Sequence, residues 1–421
     1  MKIWILNHYA ANMYFDEAGR HQSLAKYLID MGCDVDIFCA NTVHNSDVII
    51  DTKGAEYVNK IGADDVRYTF IRTRAYHDNG KQRINNMLDY YRKIKKVLLN
   101  KANGFGRPDI IIASSVHPLT LLAGEKIARK LKVPCICEIR DLWPETLVEL
   151  NIISRDNIFT KLMYAGEKHI YKKADGVVFT MPGGKKYITD KGWEKKVNLD
   201  KVYHVSNGVD LIKFKKDREC YIISDQDLER DDCFKVIYTG SVRVANKIED
   251  FISIAEQLRD TNICFLIYGD GDQRKKLEVE ARNKDLKNIV FKGRVDKKYI
   301  PYILSRGDMN IVTDEANNLG KYGVSWNKIF EYMASGKPVV VNYDMGQFNL
   351  VENNRFGWAE IYESVESFSN AVQQMMELPE EEYNIFCENA EKAAHIYDYK
   401  KLAKDYKDIL KEIVRRYDDR N

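Results

Sequence analysis

The chain has 421 residues, 65 Lys plus Arg against 63 Asp plus Glu, and a formal net charge of +2. Apolar residues make up 45% and charged residues 30%, which is the mix of an ordinary folded protein and excludes disordered and fibrous classes. So balanced a charge gives no global field to recruit nucleic acid, and no apolar run reaches the roughly 18 residues of a membrane-spanning helix.

The length suggests two or three domains. The eight cysteines form no Cys-x-x-Cys pair, and Cys39, Cys135, Cys137 and Cys264 fall in apolar runs. That pattern reads as reduced core thiols of a cytoplasmic protein. The eight histidines show no zinc spacing, so no metal is expected. Met1–Asn7 is too short for a signal peptide and reads as a first strand.

In chain order, the spacing predicts strands at Ile3–Leu6, Val35–Ala40, Ile110–Ala113, Cys135–Ile139, Val177–Thr180 and Val202–Val205. A second set follows at Val236–Tyr238, Cys264–Tyr268, Val290–Phe291, Asn310–Val312 and Val339–Asn342. Apolar strands alternating with helical patterns imply parallel sheets covered on both faces, and two sets in series imply two doubly wound α/β domains. The break falls at the turn signal Ser206–Asn207–Gly208–Val209–Asp210, before a polar insertion from Lys213 to Asp232. Tyr399, Leu402, Tyr406, Ile409, Ile413 and Tyr417 recur at spacings of three and four, one stripe of a terminal helix.

Ligands of open α/β sheets bind beyond the carboxyl ends of the strands. In the second set those ends carry Gly240–Ser241–Val242–Arg243 with Asn246–Lys247, then Gly269–Asp270–Gly271–Asp272, then Gly293–Arg294–Val295. Glycine admits backbone close to a phosphate, and Arg243 and Lys247 would neutralise it. The dinucleotide fingerprint is broken by Arg274, and no P-loop exists. The segment Tyr322–Gly323–Val324–Ser325–Trp326–Asn327–Lys328–Ile329–Phe330–Glu331, running on to Gly336–Lys337–Pro338 and Val339–Val341, reads as a glycine loop, a short helix and a buried strand. Ser325 is expected to cap that helix, whose remaining N–H groups and dipole favour a diphosphate. Glu331 sits among apolar residues and needs donors, which two ribose hydroxyls would supply.

These motifs, with Asn207–Gly208–Val209–Asp210 followed by Phe214, resemble retaining GT-B glycosyltransferases of family 4, and the bacterial branch that builds capsule and O-antigen polysaccharides most of all. The resemblance implies GT-B architecture: two Rossmann-like domains facing a central cleft. It places an acceptor-side domain at 1–206, a nucleotide-sugar domain at 207–395 and a C-terminal helix at 396–421 that returns to the first domain. It implies a UDP-sugar donor and no metal; Asp270-x-Asp272 matches a metal motif of a different fold. The donor would be held by Gly19, Arg20, Gly240, Arg243, Lys247, Gly269, Arg294, Val295, Gly323, Ser325, Asn327, Lys328 and Glu331. At Glu138–Ile139–Arg140–Asp141–Leu142–Trp143–Pro144, Arg140 replaces the family's histidine and Asp141 is kept. Arg140, Asp141 and His117, from Ser114–Ser115–Val116–His117–Pro118, are therefore the candidate catalytic residues. Many family members carry a glutamate where this chain has Gly323, the donor-sugar side of Glu331.

The implied reaction moves an N-acetylated or deoxy hexose to a polyprenyl-diphosphate-linked acceptor. Two alternatives are a UDP-sugar 2-epimerase of the same fold and a non-catalytic partner subunit. Residues 81–101 carry seven basic side chains and one acid, with Ile84, Met87, Leu88, Tyr91, Ile94 and Leu98 at helical spacing. A basic amphipathic helix of this kind is expected to lie on an anionic membrane surface.

Overall fold

The computed structural model describes residues 1–44, 46–76, 80–115 and 117–420. Two compact units are present: Met1–Ser206 with Tyr399–Asn421, and Asn207–Asp398. The first holds β1 (Lys2–Leu6), β2 (Asp34–Ala40), β3 (Tyr57–Ile61), β4 (Arg67–Ile71), β5 (Ile110–Ser114), β6 (Cys135–Ile139), β7 (Gly176–Phe179) and β8 (Val202–His204). They form one sheet in the order β3-β4-β2-β1-β5-β6-β7-β8. Every pairing is parallel except β3 with β4. The second unit holds β9 (Phe234–Thr239), β10 (Ile263–Tyr268), β11 (Ile289–Gly293), β12 (Met309–Thr313), β13 (Val339–Asn342) and β14 (Gly357–Glu360). This sheet is all parallel, in the order β11-β10-β9-β12-β13-β14.

The β3–β4 hairpin and β14 are additions to the strands that periodicity predicts. β3 is half-exposed at the sheet edge and carries Asn59 and Lys60, so it lacks the apolar run that marks the buried strands. β14 is four residues long and ends in an exposed glutamate.

The terminal helix Tyr399–Asp418 packs on helix Arg20–Asp30 of the first unit. It buries Tyr399, Leu402, Tyr406, Leu410 and Ile413 in that unit's core. Leu410 takes the inner position that the spacing assigned to Ile409, which is only partly buried. Each fully buried Leu or Ile contributes about 1.5–3 kcal/mol, so this helix is a large share of the first core. A Cβ at Gly176 on β7 would overlap the Ile413 side chain, so glycine there lets the helix sit against the sheet.

A buried charge network ties the same unit together. Glu138 on β6 accepts from Arg20 Nε and Nη2 (2.9 and 2.8 Å), from Ser114 Oγ (2.8 Å) and from Tyr406 Oη (3.4 Å). His21 Nε2 lies 2.9 Å from its other oxygen, and His21 Nδ1 lies 2.9 Å from Asn7 Nδ2. Arg20 Nη1 reaches the Ser206 carbonyl at 2.6 Å. Burial pushes the Glu138 carboxyl up, but Arg20 and His21 outweigh it and hold the group well below the usual carboxylate range. Burial lowers His21 despite Glu138, so the ring is neutral, with Nε2–H donating to Glu138 and Nδ1 accepting from Asn7.

The membrane helix expected at 81–101 is corrected by the packing. The helix Lys81–Leu99 forms, but Met87, Tyr90, Ile94, Val97 and Leu98 face the domain interior. Of the predicted stripe only Ile84 is exposed. Four of its six cations are engaged too: Arg83 with Tyr9, Lys93 with the Arg72 carbonyl, Lys96 with Glu56 and Lys95 over the Tyr91 ring. Among the described residues no helix is long and apolar enough to cross a membrane.

Helix Ile158–Lys173 buries its only acid, Glu167, which accepts from Tyr171 Oη (2.7 Å) and Tyr187 Oη (2.9 Å). Burial raises this carboxyl to about 8, against the two tyrosine hydrogen bonds that lower it. A raised carboxylate binds its proton more tightly folded than unfolded. Its contribution to stability is therefore present at low pH and is lost as pH rises from about 4.5 toward 8. Urea denaturation of Glu167→Gln is expected to remove that decline, which reaches at most about one decade in the folding equilibrium constant per pH unit. A variant with the same pH dependence as the native chain would mean that folding leaves the Glu167 carboxyl unshifted.

Candidate active site

In the second unit three strand ends lie side by side because they are glycines. Gly240 N–H donates to the Tyr268 carbonyl (2.9 Å), and Gly269 N–H donates to the Gly293 carbonyl (2.8 Å). A Cβ at Gly269 would overlap the Gly240 carbonyl oxygen, and one at Gly271 would overlap that of Val242. Gly240 has φ +150°, and a Cβ there would stand 3.3 Å from Lys328 Nζ. Beyond β9, the turn Val244–Asn246 is anchored from β12, where Thr313 Oγ1 donates to the Asn246 carbonyl (2.6 Å) and Glu315 N–H to that of Ala245 (3.0 Å). Arg243 is exposed on this turn; Lys247 follows it, half-buried at φ +46°. Among the described residues, Arg243, Lys247 and Arg294 form no ion pair with a carboxylate. Asp270 is occupied by Arg274 Nε (2.9 Å) and by the Gly271 N–H (2.8 Å). Val295 packs against the core beneath the β11 loop.

The helix Asn327–Ala334 stands beside these ends. Tyr332 Oη accepts the Thr239 N–H at 2.9 Å and so pins the helix to β9. The residue that precedes the first helical position is Trp326, not the expected Ser325. Ser325 Oγ instead accepts the Asn207 N–H (2.9 Å), while Asn207 Nδ2 donates to the Ser325 carbonyl (2.7 Å). Among the described residues Trp326 makes no side-chain cap; Ile329 N–H turns back to the Trp326 carbonyl (3.2 Å), so Asn327 and Lys328 carry the N–H groups that would meet an anion. Gly323 has φ +78° in the approach loop, and Asn327 is exposed at the first turn. Lys328 Nζ sits 3.1 Å from Tyr238 Oη and 4.4 Å above that ring. Burial lowers the Lys328 pKa; Tyr332 and Asp314 oppose it.

Asp314, at the end of β12, is a site residue that sequence reasoning missed. Burial lifts its carboxyl to about 6, with Lys328 pulling the other way. Its signal was weak: the first of two acids, Asp314–Glu315, after the strand Met309–Thr313. Lys297 was also missed. Its Nζ pairs with Glu331 Oε1 at 2.9 Å, and the Glu331 side chain is 18% exposed. The donors that a carboxylate in this apolar helix requires therefore include a lysine from the loop after β11.

The first unit places its candidates differently. Gly19, at φ +104°, immediately precedes helix Arg20–Asp30. Arg20 is 1% exposed and spends its guanidinium on Glu138 and Ser206, so it is turned into the core and not toward a ligand. His117 is 2% exposed, with Nε2 only 2.6 Å from His8 Nδ1. Burial and Arg83 hold its pKa at about 3, so the imidazole is neutral at ordinary pH. Val116, between Ser115 and His117, lies outside the described residues. The Arg140 N–H is held by Ser115 Oγ (3.0 Å), and its Nε is buried with no hydrogen-bond partner. Asp141 is exposed just past β6 on the rim of a narrow pocket shared with Ser115, Trp143 and Tyr171. Desolvation by the surrounding protein pushes its carboxyl up, and the charges of Arg140 and Arg83 oppose that shift.

Residues 222–393 match the family "Glycosyl transferases group 1", and residues 22–213 match "Glycosyltransferase Family 4". The second unit is thus similar to group 1 glycosyl transferases and the first to family 4 glycosyltransferases, each match covering less than half of the chain. An Escherichia coli K12 protein named for colanic acid biosynthesis, glycosyl transferase WcaI, is 28% identical over 131 residues, 30% of this chain and 32% of its own length. Pseudomonas aeruginosa WbjE, also named as a glycosyltransferase, is 20% identical over 260 residues, 60% of this chain. The chain spans 32% and 62% of the lengths of these two relatives. Sucrose-phosphate synthase from Thermosynechococcus elongatus superposes with a TM-score of 0.73 at 17% identity, covering 99% of both chains. Anabaena HepE, solved with UDP, gives 0.69 at 14%, covering 98% of this chain and 100% of that one. The fold is GT-B, with eight- and six-stranded Rossmann-like domains.

Arg20→Ala distinguishes a core brace from a ligand contact. Removing one partner of a buried ion pair costs about 3–5 kcal/mol. The expected result is a loss of that size in denaturant, with UDP affinity of the folded fraction unchanged. Native-like stability together with weakened UDP binding would return Arg20 to the donor site.

Proposed function

We propose that this chain is a retaining glycosyltransferase that takes a sugar from a nucleoside diphosphate donor, UDP-linked, to an acceptor on a polyprenyl diphosphate carrier in capsule or O-antigen assembly. One observation carries the reading. The glycine ends of β9, β10 and β11 converge with an uncapped helix start, unpaired Arg243 and Lys247, and half-buried Lys328. That is a concentration of positive charge and open N–H groups suited to a diphosphate. The colanic acid named for WcaI supports polysaccharide assembly, the name of WbjE supports sugar transfer, and the UDP in HepE supports the donor class.

In this reading the diphosphate sits across Gly240 and the first turn of helix Asn327–Ala334. Arg243, Lys247 and Lys328 stabilise the charge that develops as the bond from the anomeric carbon to the phosphate oxygen breaks. Asp314 balances Lys328 until the diphosphate arrives. Glu331 takes the ribose hydroxyls and shares its carboxylate with Lys297. The acceptor oxygen attacks from the face the diphosphate leaves, and its proton passes to a diphosphate oxygen. Gly323 offers no carboxylate in the approach loop, and neutral His117 is bonded to His8. Asp141 and Arg140 are then the first-domain groups assigned to substrate. Three cations supply the charge that a metal ion would otherwise provide, so turnover is expected to persist in EDTA.

Glu331→Ala is expected to weaken UDP binding by tenfold or more while the melting temperature stays near native, read by calorimetric titration and thermal denaturation. An unchanged dissociation constant would remove Glu331 from the donor site. Arg243→Ala and Lys247→Ala are each expected to lower turnover by about 1.5–4 kcal/mol of barrier. Native turnover in both would move the phosphates elsewhere. UDP binding with neither transfer nor donor hydrolysis by the native chain would favour the non-catalytic subunit.

A further inference from the structure

The first unit exposes four large apolar side chains within eleven residues: Ile152 (63%), Ile158 (73%), Phe159 (64%) and Leu162 (63%). The last three belong to helix Ile158–Lys173. Thr160, Glu167, Ile170 and Tyr171 occupy the inward side of that helix. Ile158, Leu162, Ala165, His169 and Lys172 recur at spacings of four and three, so they line one outer stripe, and all are exposed. The stripe changes character along its length. Its first two turns are apolar, and its last turns carry His169 and Lys172, with exposed Lys173 beside them.

Charge identifies what such a stripe fits. The other charged residues on this helix are Lys161, which is exposed, and Lys168, which is half-buried. The only acid is Glu167, which is buried and, with its pKa raised to about 8, neutral near pH 7. The outward face of the helix is therefore purely cationic where it is charged. One exposed acid, Asp156, precedes the helix and is outnumbered by Lys161, Lys168, Lys172 and Lys173; an apolar end followed by lysines matches the boundary of an anionic bilayer, where apolar side chains enter by about 5–10 Å and ammonium groups stay at headgroup phosphates.

We propose that Ile152 and the helix Ile158–Lys173 form a membrane-docking surface, in which Ile158, Phe159 and Leu162 enter the lipid and Lys168, Lys172 and Lys173 contact anionic headgroups. This surface replaces the helix Lys81–Leu99, whose apolar side is spent on the core. It does not rest on the donor reading, because all its residues belong to the first unit and none is assigned to substrate.

Co-sedimentation with phosphatidylglycerol-rich and phosphatidylcholine vesicles tests it. The full chain is expected to sediment with the anionic vesicles and to be released at about 1 M salt, where the screening length is about 3 Å. Ile158→Ser, Phe159→Ser and Leu162→Ser combined should lower the partition coefficient about tenfold or more. Lys168→Gln, Lys172→Gln and Lys173→Gln combined should lower it about fivefold per lysine. Lys93→Gln, Lys95→Gln and Lys96→Gln combined should leave it unchanged. In Phe159→Trp, tryptophan emission should shift to the blue when anionic vesicles are added. UDP titration should be native in every variant, so failure of this inference and failure of the donor reading are separate results. The proposal is overturned if the native chain stays in the supernatant at low salt, or if the serine variant sediments as well as the native chain. It is equally overturned if the serine variant abolishes a dimer seen by analytical ultracentrifugation while leaving vesicle binding intact; the face then belongs to a second copy.

Discussion

The donor-side chemistry depends on one steric constraint, the contact between the backbones of Gly240 and Gly269. A side chain at either position would strike a carbonyl oxygen or crowd the Lys328 ammonium. With both positions bare, the ends of β9 and β10 meet edge to edge, and β11 joins them through the Gly269 N–H and Gly293 carbonyl. The parallel sheet then delivers three loops to one place, where a generic sheet would splay them. Tyr332 adds the helix Asn327–Ala334 to the same corner through the Thr239 N–H. Every cation assigned to the diphosphate is carried on an element fixed by one of these contacts.

The two units use buried charge in opposite ways. In the first, Glu138 is saturated by Arg20, His21, Ser114 and Tyr406, and the network binds β6, helix Arg20–Asp30 and the terminal helix into one body. Such a group has nothing left to offer a ligand, and its value lies in what its removal would leave unpaired. In the second unit, Lys328 and Asp314 are shifted by burial away from their charged forms, and among the described residues Arg243 and Lys247 form no ion pair, Lys247 feeling Asp250 only through its field. Charge held at a cost with incomplete pairing is what a site for a charged substrate requires.

The sequence made the architecture legible because buried parallel strands are written as unbroken apolar runs. Cys135–Ile139 and Val339–Asn342 were readable to the residue, whereas the edge strand Tyr57–Ile61 carries its polar residues outward and was not. Gly240, Gly269 and Glu331 were visible as residue types out of place in their surroundings. Partners were not visible. Nothing in the spacing shows that Arg20 meets a glutamate 118 residues away, or that Ser325 is drawn to Asn207 and away from its own helix. The periodicity of 81–101 correctly gave an amphipathic helix, but periodicity does not say whether the apolar side meets a core or a lipid.

The contrast between helices Lys81–Leu99 and Ile158–Lys173 shows how that ambiguity is resolved. By sequence the first is the better membrane helix, with more cations and a longer stripe. Folding consumes its stripe, since Met87, Ile94 and Leu98 are buried and Met87 packs with Tyr9 and Tyr76. In the second helix the inward side is taken by Thr160, Glu167, Ile170 and Tyr171, two of which are polar. The tyrosine hydrogen bonds to Glu167 make that polar side tolerable inside the protein, and so the large aliphatic residues are left facing out. Keeping Ile158, Phe159 and Leu162 in water carries a hydrophobic cost of roughly 1.5–3 kcal/mol each relative to burial. A fold that sends a carboxyl inward and three large apolar groups outward on one helix has arranged the two against their own transfer preferences. An external apolar phase is the environment in which that arrangement becomes favourable.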